Sequence, residues 1–393
     1  MLHSYSFTNL YSFAEKCEVS LVTSHRGYEK KFQTTGRSGD RLNLISAFMG
    51  ANAAGKTAAL KALVFVTSFV KDSFHYKPDQ ELPFTPHFAH VSDPSQFEVI
   101  GEDADGVLWR YELTATKKRV LRESLHRKAR TNGPFVMVFE RSPASDDAYV
   151  VHQDGFGLAQ TEAEKVRPNA SLLATAAQYN VPLALALTSR LKLNTNINSF
   201  GRDRSDVSGI TDAAEYFAGH PAAATAMTNL VKGWDLGING VKFQSLEMPG
   251  DEKFWLGLVT HVAREGKSGV VLLHQESAGT QGAIVLLSKL LPILETGGLA
   301  VIDELDGDLH PHMLEPILGM FASTVSNPKN AQLLFTCHMP EVLTMVEKSQ
   351  VHFFEKVEGE SVGFRGDTIE GLRSDDNLRA KYMAGALGAV PIL

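Results

Sequence analysis

Leu42-Asn-Leu-Ile-Ser-Ala-Phe-Met-Gly50-Ala-Asn-Ala-Ala-Gly55-Lys56-Thr57 is an apolar run that empties into small residues and ends on a lysine and a hydroxyl. From Gly50 the spacing is G-x-x-x-x-G-K-[ST]. Its glycines let backbone N–H groups curl around an anion, and a helix behind them aims its positive end at the same point. The flanks agree: Leu42–Phe48 alternates like a buried strand, and residues 58–70 contain neither Gly nor Pro and read as a core helix. A chance Gly/Ala turn would lack both neighbours. In a loop of this kind Lys56 reaches the β- and γ-phosphates of a nucleotide and the Thr57 hydroxyl ligates Mg²⁺.

Farther along, Leu299-Ala-Val-Ile302-Asp303-Glu304 is a short apolar strand ending in two acids. Alone it could be a solvated acidic turn. Behind a phosphate loop, Asp303 is expected to hold Mg²⁺ through water and Glu304 to polarise the attacking water. A third segment, Glu276-Ser277-Ala278-Gly279-Thr280-Gln281, leads into the helical run Ile284–Leu294. A hydroxyl, small residues and free N–H groups at a helix start make a second anion site. The chain's own loop already has Lys56, so this tip makes sense when offered to ATP on another subunit.

Asn52 in the loop, Ser277-x-Gly279-Thr280, Asp303-Glu304-Leu305-Asp306 with Leu309-His310-Pro311, and Thr336-Cys337-His338 together resemble the ABC-type ATPase heads of the SMC, RecF and OLD class. Within it the chain is most similar to the compact ATPases of bacterial anti-phage systems, and Tyr382–Pro391 is similar to how those chains end. The resemblance covers most of the chain, with a gap at about 120–240. It implies an α/β P-loop NTPase of ABC-ATPase type, with a mixed sheet core, an antiparallel β subdomain and a helical insertion. It implies ATP and Mg²⁺ as cofactors, with ATP contacts at Gly50, Asn52, Ala53, Gly55, Lys56, Thr57 and Ala58. Ser277, Gly279 and Thr280 would close on the partner's γ-phosphate, Asp306 would belong to the loop that communicates across the dimer, and His338 would sense the γ-phosphate. The signature is Ser-Ala-Gly-Thr-Gln, unlike the Leu-Ser-Gly-Gly-Gln of transporters, and no clear Q-loop exists beyond Gln96 as a weak candidate.

The expected organisation is an N-terminal ATPase part (1–150), a mainly helical insertion (151–240) and a C-terminal ATPase part (241–393). Leu2–Phe7 and Cys17–Val22 read as strands, as do Phe97–Gly101 and Leu108–Leu113 about an Asp103-Ala-Asp-Gly106 turn. Phe254–Val262 and Gly269–His274 read as a strand pair, while Leu299–Ile302 and Gln332–Thr336 have the form of buried parallel strands. With 44% hydrophobic and 21% charged residues the composition is globular. No apolar run reaches the roughly 20 residues a spanning helix needs, and no signal peptide is visible. The cysteines Cys17 and Cys337 match no metal or redox spacing, so a cytoplasmic protein with two buried thiols is expected.

A net charge of −7 confines nucleic-acid contact to a local patch; Lys117, Lys118, Arg119, Arg122, Arg127, Lys128 and Arg130 form one, or else a solvated hairpin. The pairs His87/His90 and His310/His312 lack further ligands nearby and read as structural. There are no heptads for SMC-type coiled coils, and the 55 residues after His338 are too few for an OLD-type nuclease domain. The expectation is a head-to-tail homodimer or larger oligomer whose nucleotide state controls a separate nuclease or toxin. A RecF-like DNA-repair ATPase is the rival; a transporter subunit is disfavoured by the signature, and no membrane contact is expected.

Overall fold

The computed structural model describes residues 1–24, 30–128, 133–145, 148–198, 201–202, 207–234, 236–247, 253–307, 309–373 and 375–390. Its centre is a six-stranded sheet in the order Leu193–Thr195, Leu299–Ile302, Gln332–Thr336, Ile45–Gly50, Val351–Val357, Glu360–Arg365. The first five run parallel, and the last returns antiparallel. Parallel strands are covered on both faces, which is why Ile45–Gly50, Leu299–Ile302 and Gln332–Thr336 are buried at every position. The pleat divides them. Phe48, Val301, Leu334 and Phe354 point into one core, whereas Ala47, Met49, Ile302, Leu333 and Phe353 point into the other.

The first core is roofed by a seven-stranded antiparallel sheet, ordered Tyr149–Gln153, Phe135–Pro143, Val120–Lys128, Leu108–Ala115, Ser95–Glu102, Leu2–Thr8, Cys17–Ser20. The helix Lys56–Asp72 lies between this sheet and the central one, burying Leu60, Leu63, Phe65, Val66, Phe69 and Val70. Each such side chain contributes about 1.5–3 kcal/mol on burial, so the helix behind the phosphate loop is anchored by its whole length. The Tyr5 hydroxyl donates to the Ala59 carbonyl at 3.0 Å and ties it to the roof. Helices Ala278–Thr296 and Pro311–Ala322 fill the second core, with a three-stranded sheet (Ile238–Glu247, Lys253–Val262, Ser268–Leu272) beyond.

Several expectations need adjustment. The single strand expected over Leu42–Phe48 is two: Arg41–Asn43 belongs to a small antiparallel sheet and Ile45–Gly50 to the central one. The chain changes sheets at Leu44, whose N–H donates to Phe32 O while that of Asn43 donates to Leu21 O. The expected Cys17–Val22 strand is likewise split, Val22–Thr23 pairing with Arg41–Asn43. Residues 151–240 carry helices at Gln160–Ala163, Leu172–Gln178, Pro182–Thr188, Val207–Gly219 and Pro221–Gly233, but also the edge strand Leu193–Thr195 of the central sheet.

The basic stretch lies on and beside the strand Val120–Lys128, and its described charges are answered locally except at the exposed Lys118. Lys117 pairs with Glu81 at 2.6 Å, Arg122 with Glu140 at 2.6 Å and Glu112 at 3.0 Å, and Arg127 with Asp103. Arg119 lies over the Tyr149 ring and Lys128 over Phe135. These are cross-strand pairs and turn contacts of an antiparallel sheet. Arg130 and Pro391 lie outside the described residues. Among the described residues no helix is long and apolar enough to cross a membrane.

Candidate functional site

The loop between strand Ile45–Gly50 and helix Lys56–Asp72 is shaped by positions that only small residues fill. Gly50 has φ 148°, and a Cβ there would stand 2.2 Å from the Phe354 carbonyl oxygen of the neighbouring strand. Gly55, at φ 104°, caps the helix with the Phe13 ring behind it. Ala53 also takes a left-handed conformation, at φ 62°. Lys56 opens the helix, buried, with Nζ donating to the carbonyls of Gly50 and Ala51, each at 2.8 Å. Burial pushes this ammonium below its ordinary pKa, while Asp303, Asp306 and Glu304 pull it back.

Parallel pairing sets the acids beside the loop. The Thr57 hydroxyl donates to both oxygens of Asp303, at 2.9 and 3.0 Å. Thr336, at the end of the adjacent strand, donates to Asp303 Oδ1 at 2.7 Å and accepts from the Glu304 N–H at 2.6 Å. Asn196 brackets the Asp303 backbone, donating to its carbonyl at 2.9 Å and accepting from its N–H at 2.8 Å. Glu304 sits at φ 50°, a conformation a side chain adopts only when its surroundings impose it. Its carboxylate pairs with Arg202. Asp306 Oδ2 accepts from the N–H groups of His338 and Met339 at 2.9 and 3.0 Å, joining the loop after the acids to the segment after Gln332–Thr336.

The result is an open cleft of about 490 Å³ lined by residues 52–58, Lys61, Asp303, Glu304, Thr336 and His338, together with Tyr11 and Ser12. His338 is exposed at its lip. A hydroxyl and a carboxylate converging within about 3 Å are the hard oxygen donors Mg²⁺ prefers, with its remaining positions left to water and phosphate. The donor set and the glycine-bounded loop therefore fit Mg²⁺ and a nucleotide. Ser277 and Gly279 are elsewhere. Ser277 caps helix Ala278–Thr296, its Oγ accepting from the Thr280 N–H at 3.2 Å, and is itself exposed; neither residue lines the cleft.

Gln96 is not brought to the site: it is exposed on the antiparallel sheet, paired with Thr8 and Thr114. His87 is buried under the loop fixed by Asn9, and His90 pairs with Asp93 at 2.9 Å. His310 caps helix Pro311–Ala322 by accepting from the His312 N–H. Among the described residues no group of three or more His, Cys, Asp or Glu is placed to hold a metal. Asn196, Arg202, Tyr11 and Lys61 are site residues that the motifs did not include, and they carry no local signal; Thr336 stood in the Thr336-Cys337-His338 motif, without its role at Asp303.

The family model described as "AAA domain, putative AbiEii toxin, Type IV TA system" matches residues 45–344. The chain belongs to this AAA-domain family. Its fold is an α/β P-loop core, with the mixed sheet and flanking antiparallel sheet described above. No curated protein matches the sequence. Among solved structures the chain is similar to an SMC head bound to the C-winged helix domain of ScpA (11% identity, 93% of this chain and 97% of that one, TM-score 0.49). It is also similar to the SMC head domain from Thermotoga maritima (12% identity, 93% and 98%, TM-score 0.44). A third is the Smc head with an extended coiled coil from Pyrococcus furiosus (10% identity, 93% and 96%, TM-score 0.41). The likeness is one of general fold alone.

Proposed function

We propose that this AAA-domain ATPase hydrolyses ATP in two sites shared between head-to-tail protomers, and that its nucleotide state holds or releases a separate nuclease or toxin in anti-phage defence. One observation carries the proposal. Lys56, Thr57, Asp303, Glu304 and His338 line a single cleft, while Ser277 and Gly279 stand outside it, with Ser277 exposed on its helix tip. A cleft with its phosphate loop and acids but without the second anion-binding helix start is what a composite site supplies from each side.

In this proposal Gly50, Asn52, Ala53, Gly55 and Ala58 present backbone to the phosphates and Lys56 neutralises the β- and γ-phosphates. Thr57 and Asp303 hold Mg²⁺, whose role is to neutralise developing charge. Glu304 orients and polarises water, and His338 senses the γ-phosphate. Ser277, Gly279 and Thr280 of one protomer complete the site of the other, and Asp306 passes the closure to the His338 segment. The protein acts in the cytoplasm. A toxin–antitoxin system in the family's description accords with control over an effector. The rival RecF-like role needs a cluster of free cations, and Lys117, Arg122, Arg127 and Lys128 of this stretch are engaged by carboxylates and an aromatic ring, with Lys118 exposed. The division at 150 and 240 remains part of the proposal, as the two ATPase parts around a mainly helical segment.

The test is Glu304→Gln. It should bind ATP, hydrolyse it at least about 100-fold more slowly, and accumulate closed dimers in size-exclusion chromatography. Wild-type turnover in that variant would refute the assignment.

A further inference from the structure

Arg202 is a charged side chain bonded directly to Glu304 that the proposed chemistry leaves without a task. It lies in the segment that follows the edge strand Leu193–Thr195, and that segment grips the acids at two points. Asn196 holds both backbone groups of Asp303, and six residues later the Arg202 guanidinium hydrogen-bonds Oε2 of Glu304. The Asn198 N–H donates to the Gly201 carbonyl at 2.8 Å, and Ile197 and Arg202 form an antiparallel bridge.

The two sides of Glu304 differ. It lines the nucleotide cleft, and it also lines a small cavity of about 40 Å³ on its other side, shared with Arg202, Asn196, Gly307 and Gly282 and Val285 of the helix that starts at Ser277. Arg202 borders only that second cavity. The guanidinium thus fixes one carboxylate oxygen from behind. That bond engages Oε2 and not Oε1, and Glu304 also lines the cleft, where a water must be oriented. A planar donor fork suits such orientation of a carboxylate. Gly307, in the loop carrying Asp306, leaves room for the arginine: a Cβ there would meet the guanidinium at 2.5 Å.

We infer that Arg202 is a positioning residue for Glu304, setting the carboxylate toward the cleft and linking its pose to Gly307 and to the Ser277 helix. The inference rests on Glu304 acting as the base. Misplacing a catalytic group by about an ångström costs on the order of 100-fold, which sets the scale of the test.

The test compares full-length wild type with Arg202→Ala, Arg202→Lys, Gly307→Ala and Glu304→Gln, by phosphate release from Mg-ATP and by binding of a fluorescent ATP analogue. Arg202→Ala should lose about 10- to 100-fold in kcat with KM and analogue affinity within about twofold of wild type. Arg202→Lys should recover part of the loss, and Gly307→Ala should reproduce it by displacing the arginine. In a Glu304→Gln background, Arg202→Ala should cost nothing further. Wild-type or faster turnover by Arg202→Ala, or a loss that adds to that of Glu304→Gln, would overturn the inference. If Arg202→Ala does not fold, Arg202→Lys and Gly307→Ala decide, and full turnover in both overturns it. Wild-type hydrolysis by Glu304→Gln sinks the base assignment and this inference together; an inactive Glu304→Gln beside an unimpaired Arg202→Ala sinks only the latter.

Discussion

Glu123→Gln is a near-isosteric change that should cost a large part of the protein's stability. Glu123 and Arg141 are both fully buried in the antiparallel roof and face each other at 3.2 Å. The carboxylate also accepts from the Tyr111 hydroxyl at 2.9 Å, from Ser171 Oγ at 2.6 Å and from the Leu172 N–H at 2.9 Å. It therefore ties two strands to the start of helix Leu172–Gln178, at the end where a helix offers unpaired N–H groups. Neutralising it strands the Arg141 charge without a counter-ion, and breaking one half of a buried pair costs about 3–5 kcal/mol. Against a total of about 5–15 kcal/mol for a typical domain, this should appear as a clear fall in the urea midpoint at unchanged slope. The double variant Glu123→Gln/Arg141→Met removes the stranded charge and should recover much of the loss. A single variant within about 1 kcal/mol of wild type, or a double variant worse than the single, would refute the reasoning.

Two further predictions concern titrating groups. Burial pushes the Cys17 thiol up to about 12 and raises Cys337 further, so neither should react with iodoacetamide at pH 8 in the native protein and both should after denaturation; rapid native alkylation would contradict their placement. The hydrogen bond to Glu276 at 2.7 Å raises the pKa of His261. The stabilisation this pair contributes is full below the ordinary value of about 6.5 and is lost as pH rises through the elevated one. An NMR titration should find the His261 ring above that ordinary value in wild type and near it in Glu276→Gln, and an unshifted wild-type ring would remove the pair.

What could be read from the chain beforehand was chemistry with a fixed local form. Gly50, Gly55, Lys56 and Thr57 announce themselves because a backbone cradle needs them in one order. Leu299–Ile302 and Gln332–Thr336 matched residue for residue because strands buried on both faces are apolar at every position. The strand Val120–Lys128 was hidden by its own charges, whose partners Glu112 and Glu140 lie on neighbouring strands. Leu193–Thr195 escaped notice as a three-residue, half-buried edge held by its pairing with Leu299–Val301 and by the Asn194 side chain on the Lys289 carbonyl. The break at Leu44 depends on Leu21 and Phe32, which no window around it contains. Asn196 and Arg202 reach Asp303 and Glu304 through the folded sheet alone, so residue type and spacing carried no trace of them.

The central claim is that neither protomer completes an ATP site alone, and complementation tests it most directly. Lys56→Ala and Ser277→Arg should each be inactive, the first through its own loop and the second through the loop of its partner. Mixed in equal amounts they should regain about a quarter of wild-type turnover, since random pairing makes half the dimers mixed and each mixed dimer holds one intact site of two. A mixture that stays inactive while mixed dimers form, or a Ser277→Arg protein that hydrolyses ATP at the wild-type rate, would contradict the account.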